Sequence, residues 1–341
     1  MPKIAILGGG SWGTALSVVL TRTRSPHEIC VWVHNADLAQ AIRRGRENPV
    51  YLPGISIPAS VGVTNEVKQA VAGAKIVVGA MPAAHAREIY SKSVSHCPPE
   101  TFFVSATKGL EPATHLRMSH VLSQALKPAD SVISQPHLQR IAVLSGPSFA
   151  AEAARGEPTA VVIASSNPSL AMQLQEEFAG PNFRLYTNED ALGVELAGAM
   201  KNVMAIAAGA CQGLGLGSNA LAALITRGLA EMTRLSVSLG ARAETLSGLA
   251  GLGDLVLTCT GALSRNRHVG IELGKGRPLK EILAAMRMVA EGVGTTAALI
   301  DLSREAGIEL PITEQVDAIL NYGKSPREAI CEIMERPLKR E

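Results

Sequence analysis

The sequence predicts a two-domain α/β protein, with an N-terminal Rossmann-like dinucleotide-binding domain over residues 1–189 and an all-helical C-terminal domain over residues 190–341. Three observations carry that prediction. Short apolar runs alternate with helical patterns as far as Asn188 and then stop, which is the signature of βαβ units and a parallel sheet. Gly8, Gly10 and Gly13 have G-x-G-x-x-G spacing at the junction between the first apolar run and the first helix. A length of 341 residues also exceeds what one hydrophobic core usually supports.

In chain order, Ile4-Ala5-Ile6-Leu7 reads as a buried strand that runs directly into Gly8–Thr14 and a small-residue helix, Ala15–Leu20. The first glycine of such a triplet allows a tight turn, the second lets backbone approach a pyrophosphate, and the third lets helix pack on strand. The helix start adds N–H groups and the positive end of its dipole. Glu28–Val33 is a second strand. The carboxylate that would hold a ribose 2′-OH is missing from its end, where His34 and Asn35 stand and Asp37 is the nearest acid. That absence removes a repulsion against a 2′-phosphate and so admits NADP. His34 is either a plain loop histidine or a neighbour of the adenosine.

Residues 48–65, punctuated by Pro49, Pro53, Gly54, Pro58 and Gly62, read as an irregular connection without chemistry. Lys75–Met81 and Thr101–Ser105 are further strands, and the second leads into Ala106-Thr107-Lys108-Gly109-Leu110. Ligands of parallel sheets sit beyond the carboxyl ends of strands, where Lys108 falls. Ile141–Leu144 then delivers Ser145-Gly146-Pro147-Ser148-Phe149-Ala150 to the same kind of position, and Ala160–Ala164 and Phe183–Tyr186 complete the strands.

Beyond Asn188 the pattern is helical. Gly193–Ala210 is apolar nearly all round, which marks a buried helix, with Glu195, Lys201 and Asn202 as its polar exceptions. A buried ammonium either pairs with a carboxylate or has a depressed pKa, and both conditions suit proton transfer; the alternative is a lysine that snorkels to the surface. Ser218 or Asn219 can cap the next helix, which Gly240 closes. Asp254 is the only charge between Glu244 and Arg265, so it is either a helix cap or the partner of Lys201. Ser264, Arg265 and Asn266 bring a hydroxyl, a guanidinium and an amide together, a set able to grip a phosphate.

Composition excludes several functions. A formal charge of +2, from 32 basic and 30 acidic residues, gives no global field for nucleic acid. Five scattered cysteines without C-x-x-C, and eight scattered histidines, support neither a disulfide framework nor a metal site. Glycines interrupt the apolar start before a signal peptide could form. The uncharged run Asn202–Thr226 reads as helix, loop, helix, not as a membrane span. A soluble cytoplasmic protein is expected, and apolar helices in the second domain leave a homodimer possible.

Seven stretches in one order resemble the bacterial NAD(P)-dependent sn-glycerol-3-phosphate dehydrogenases over essentially the whole chain. They are Gly-Gly-Gly-Ser-Trp-Gly-Thr-Ala-Leu from Gly8, Ala-Thr-Lys-Gly-Leu-Glu from Ala106, Leu-Ser-Gly-Pro-Ser-Phe-Ala from Leu144, Lys-Asn-Val from Lys201, Gly-Leu-Gly-Asp-Leu from Gly251, Ser-Arg-Asn from Ser264 and Val-Ala-Glu-Gly-Val from Val289. The resemblance implies that Ser11, Trp12, His34, Lys108 and Ala150 lie along the cofactor, with Arg265, Val289 and Glu291 reaching it from the second domain. It implies that Lys108, Gly146, Ser148, Asp254, Ser264, Arg265 and Asn266 contact the substrate and that Lys201 is the catalytic acid/base. The implied reaction is reduction of dihydroxyacetone phosphate to sn-glycerol 3-phosphate with NADH or NADPH, the latter somewhat favoured, feeding glycerophospholipid synthesis.

Overall fold

Strand β1 (Lys3–Leu7) has four successive residues, Ile4 to Leu7, with no solvent exposure, the burial expected of a strand covered on both faces of a parallel sheet. Side chains alternate between the faces. Ile4 and Ile6 enter one apolar cluster with Leu16 of α1 (Ser11–Val19), and Ala5 and Leu7 enter another with Tyr90. The structure, a computed structural model, describes residues 1–126, 135–338 and 340. By packing, the chain divides into two units, Met1–Glu195 and Leu196–Glu341.

In the first unit the chain continues through β2 (Glu28–Trp32), α2 (Ala36–Gly45), β3 (Glu47–Asn48), β4 (Leu52–Ser56), β5 (Val61–Thr64), α3 (Val67–Val71), β6 (Ala74–Gly79) and α4 (Ala83–Val94). It goes on through β7 (Phe102–Ser105), α5 (Met118–Ala125), α6 (Gln135–Leu138), β8 (Ile141–Ser145), α7 (Ala150–Arg155), β9 (Thr159–Ala164), α8 (Pro168–Phe178) and β10 (Phe183–Asn188). Eight of these strands form one sheet in the order β10-β9-β8-β7-β6-β1-β2-β5. β1 lies parallel between β2 and β6, with Ile4 opposite both Ile29 and Ile76.

Two local expectations fail. Residues 48–65 are not irregular throughout: β5 extends the sheet beside β2, and β3 and β4 make a separate antiparallel ribbon. Proline and glycine hid these short strands, since both are tolerated in edge and ribbon positions. The sheet is also not wholly parallel, because β9 runs antiparallel to β8, with Leu144 opposite Ile163. The connection contains one short helix, α7, whose six residues rise about 9 Å, and β9 begins where β8 ends. β10 then pairs parallel with β9.

Helix α9 (Ala191–Gly213) follows. It is long and apolar enough to cross a membrane by length and composition, but 83% of its most apolar window is buried inside the fold. Glu195, at the end of the first unit, accepts from the Ser119 backbone N–H (2.8 Å), the Ser119 hydroxyl (2.6 Å) and the Arg117 guanidinium (2.6 Å). A carboxylate in an apolar helix is thereby satisfied at the N-terminus of α5, where helix N–H groups need acceptors.

The second unit contains α10 (Ser218–Ser238), α11 (Ala243–Ser247), a π-turn (Leu249–Gly253), α12 (Asp254–Thr260), α13 (Arg265–Gly274), α14 (Leu279–Ala285), α15 (Glu291–Ala306), α16 (Pro311–Tyr322) and α17 (Pro326–Met334). Gly217, not Ser218 or Asn219, caps α10, without a side-chain bond, so the helix starts at Ser218 itself. α9 crosses α13 with backbone against backbone: a Cβ on Gly209 would lie 2.0 Å from the Arg267 carbonyl oxygen, and one on Gly270 2.0 Å from that of Ile206. In α10, buried Glu231 accepts from the Ile312 N–H (2.9 Å), the Thr313 N–H (2.9 Å) and the Thr313 hydroxyl (2.7 Å), and so caps α16 from outside.

Burial pushes the Glu231 carboxyl above its ordinary range, against the bonds from Thr313 and Ile312 that pull it down. The native state therefore holds that proton to higher pH than the unfolded chain, and stability falls as pH rises from the ordinary carboxylate range through the native pKa. Replacing Glu231 by Gln should cost about 1–3 kcal/mol, since one N–H donor then faces an NH₂ group. Urea unfolding should show a larger gap between wild type and Glu231→Gln at mildly acidic pH than at alkaline pH, because glutamine does not titrate.

Candidate active site

The first unit holds two groups of the expected site residues. At the glycine turn, Gly8 has φ +128°, and a Cβ there would lie 2.6 Å from the Ala80 carbonyl oxygen. A Cβ on Gly13 would meet the Gly8 carbonyl oxygen at 1.9 Å, so only glycine lets α1 seat this closely on β1. Gly10 differs: nothing lies within 4 Å of where its Cβ would be, and it starts α1 without a side-chain cap. A tight turn, close helix–strand contact and an open face at a helix N-terminus are what a dinucleotide pyrophosphate requires. The Ser11 hydroxyl donates to the Tyr51 carbonyl at 2.7 Å. The Trp12 indole N–H is buried without a partner among the described residues.

At the carboxyl ends of β7 and β8, Lys108 reaches from one loop to the other. Its Nζ donates to the Gly146 carbonyl at 2.7 Å and to the Ser148 hydroxyl at 3.3 Å, and that hydroxyl donates in turn to Gly146 (2.9 Å). Thr107 fixes the base of the Lys108 loop by donating to the Met81 carbonyl (2.7 Å). Ala150 opens α7, with Phe149 before it as N-cap. His34 is exposed past the end of β2, its ring edge-on to Trp32 with centroids 5.7 Å apart.

The second unit assembles the rest. Lys201 is only 6% exposed, and its Nζ lies 2.6 Å from Asp254 Oδ1 and 2.9 Å from Thr258 Oγ1. Asp254 is 1% exposed and follows directly on the π-turn Leu249–Gly253, inside one continuous helical stretch that runs to Thr260. Thr258 stands one turn on and donates to the Asp254 carbonyl at 2.6 Å. Lys201 thus takes the paired solution to its burial, not the snorkelling one. Next to it on α9, Asn202 accepts from the Asn266 amide N–H at 2.9 Å, and Asn266 Oδ1 accepts from the Gly292 N–H at 3.0 Å.

Ser264 is the N-cap of α13, accepting from the Arg267 N–H (3.3 Å). Arg265 donates to the Val289 carbonyl at 3.1 Å and feels the charge of Glu291, the first residue of α15. Burial pushes the Cys97 and Cys259 thiols up to about 11 and about 12, so both stay protonated at neutral pH and neither is a nucleophile. Among the described residues, no three His, Cys, Asp or Glu side chains converge on a metal position.

Two family models cover most of the chain. That for the NAD-dependent glycerol-3-phosphate dehydrogenase N-terminus matches residues 3–171, and that for the C-terminus of the same family matches residues 190–331. The chain belongs to the NAD-dependent glycerol-3-phosphate dehydrogenase family. Among members of that family, glycerol-3-phosphate dehydrogenase [NAD(P)+] of Koribacter versatilis (strain Ellin345) is 53% identical over 338 residues, covering 99% of this chain and 98% of that one. The Myxococcus xanthus (strain DK1622) protein of the same name is 48% identical over 337 residues, again covering 99% and 98%. The crystal structure of glycerol-3-phosphate dehydrogenase from Coxiella burnetii superposes with a TM-score of 0.90 at 39% identity, covering 98% of this chain and 99% of that one. A ketopantoate reductase from Ralstonia eutropha JMP134 shares the fold alone, at 14% identity and a TM-score of 0.60 over 96% of this chain and 99% of that one.

Sequence reasoning overlooked two residues in this dehydrogenase chain. Thr258 had a readable signal, since a residue four places after Asp254 on a helix shares its face. Asn202 stood out only as a polar exception; its bond to Asn266, 64 residues away, is a product of the α9–α13 crossing.

Asp254→Asn should leave the Lys201 ammonium buried without its counter-charge and lower stability by about 3–5 kcal/mol. A melting temperature equal to that of wild type would show that the pair contributes nothing to the fold.

Proposed function

We propose that this chain is an NAD(P)-dependent glycerol-3-phosphate dehydrogenase that reversibly reduces dihydroxyacetone phosphate to sn-glycerol 3-phosphate, with Lys201 as the acid/base. The observation that carries this reading is a lysine 6% exposed and held 2.6 Å from a buried carboxylate, in a family whose reaction adds one hydride and one proton to a ketone.

A reduced nicotinamide, when bound, supplies the hydride that ends on the carbonyl carbon. Gly8, Gly10, Ser11, Trp12 and Gly13 would hold the dinucleotide's pyrophosphate end, where the turn leaves an open face at the start of α1. His34 replaces the carboxylate that NAD-preferring folds place after the second strand, which supports NADPH as the favoured coenzyme. Ala150, Val289 and Glu291 would complete the coenzyme contacts. Lys201 holds a proton at Nζ and delivers it to the carbonyl oxygen as the alkoxide develops. Asp254 keeps that ammonium in place, and Thr258 limits its swing. Lys108, Ser148, Ser264, Arg265 and Asn266 would bind the triose and its phosphate, with Gly146 shaping the Lys108 loop; each charge-assisted bond is typically worth about 1.5–3 kcal/mol. In reverse, the neutral amine takes the alcohol proton. The product supplies glycerophospholipid synthesis in the cytoplasm, and a homodimer fits the apolar helices of the second unit.

The direct test is oxidation of NADH or NADPH on addition of dihydroxyacetone phosphate. Activity with small 2-keto acids instead would reassign the chain to the carboxylate-reducing enzymes that share its fold. Lys201→Ala should lower kcat about 10²–10⁴-fold, the usual contribution of a positioned acid, with coenzyme affinity retained. An alanine variant that turns over at near wild-type rate would remove Lys201 from the mechanism.

A further inference from the structure

Asn48 is fully buried in the ribbon that the sequence showed only as an irregular connection. Its amide Nδ2 donates to the Gly9 carbonyl (2.9 Å) and to the Thr14 hydroxyl oxygen (2.9 Å), the first in the glycine turn and the second in the first turn of α1. Its Oδ1 accepts from the Tyr51 N–H (3.0 Å) and the Val50 N–H (3.3 Å). One side chain with two donors and two acceptor positions is thus fully used, half on the glycine turn and half on the ribbon. A second tie lies beside it, the Ser11 hydroxyl on the Tyr51 carbonyl, and Leu52 anchors the ribbon by packing with Ala15 of α1 and Ala154 of α7.

A glycine turn has no side chains with which to fix itself, yet its N–H groups bind a pyrophosphate well only if they already converge before the ligand arrives. Asn48 meets that need from outside the turn, and it does so through the carbonyl of Gly9, between the two glycines that shape the site.

We propose that Asn48 is a positioning residue for coenzyme binding, preorganising the Gly8–Thr14 turn by clamping it to the β3–β4 ribbon. This rests on the reading of that turn as the pyrophosphate site. Asn48→Asp keeps the acceptor for Val50 and Tyr51 but sets one carboxylate oxygen where both donors were: the Gly9 carbonyl can only repel it, and Thr14 can meet it only by turning its own hydroxyl to donate. Replacing the buried bond to the Gly9 carbonyl by repulsion should raise the dissociation constants of NADPH and of ADP-ribose, which carries the same pyrophosphate, by about tenfold or more. At saturating coenzyme, kcat and the KM for dihydroxyacetone phosphate should stay within about threefold of wild type, because no group that touches the ketone has changed.

Affinities are measured by titrating the intact folded protein and following intrinsic fluorescence, alongside Leu122→Ala, a substitution in the other apolar cluster of the same unit, which holds no residue of the turn. Equal weakening in both variants, or unchanged affinity in Asn48→Asp, would overturn the assignment. If Asn48→Asp does not fold, Thr14→Val carries the test: it removes one clamp bond, and an affinity equal to wild type would overturn the assignment too. Failure of the wild-type protein itself to bind NADPH or ADP-ribose would instead sink the pyrophosphate reading, and the role of Asn48 with it.

Discussion

Burying an ammonium inside an apolar helix is the most demanding thing this chain does, and much of the second unit reads as a response to it. An unpaired charge at the position of Lys201 would carry a desolvation penalty of several kcal/mol. Asp254 offsets that penalty because its geometry is tight, 2.6 Å to the ammonium. The wide π-turn before α12 matters for the same reason. It carries Leu249–Gly253, rich in glycine, and its wider winding sets the face of the helix on which the carboxylate stands. Thr258, one turn later, supplies an oxygen to the same Nζ while bonding back to its own helix.

Two asparagines perform the complementary task with neutral groups. Asn48 joins the glycine turn to a ribbon nearly 40 residues on in sequence. Asn266 joins α9 to the start of α15 through Asn202 and Gly292. A carboxamide suits both places, since it donates and accepts at once and needs no counter-charge. A buried network of this kind specifies one arrangement when every member is satisfied and destabilises when one is not. The α9–α13 joint also needs the glycine crossing, because helices held apart by side chains could not bring Asn202 and Asn266 within 2.9 Å.

What could be read from the sequence follows the range of the interactions involved. The glycine turn, the buried strands and the apolar helix are local patterns of period 2 or 3.6 and were legible as such. Lys201 and Asp254 were legible because a lone charge in an apolar stretch demands a partner. The reversal of β9 was not legible, since direction depends on the path of a short connection and not on strand composition. Nor was the ribbon at Glu47–Ser56, where Pro53 and Gly54 mimic a loop. Asn48 carries no local signal at all: an asparagine before a proline is an ordinary turn residue until the fold sets it beneath Gly9.

The topology of the first unit explains why Lys108 meets Gly146 and Ser148 and not some other loop. β7 and β8 are parallel neighbours with Ser105 opposite Val143, so the residues that follow each strand emerge at the same end of the sheet and side by side. Lys108 lies three residues beyond one strand and Gly146 immediately beyond the other, a separation its four-carbon stem can span. The reversal at β9 then closes the space behind that loop: a Cβ at Gly146 would sit 3.1 Å from the Val161 Cα, and the residue adopts φ +120°. A side chain there would have to push against β9 or abandon the turn, and either change would carry the Gly146 carbonyl away from the lysine. The glycine at this strand end is thus fixed by packing from behind, and the placement of the Lys108 ammonium in front is its consequence.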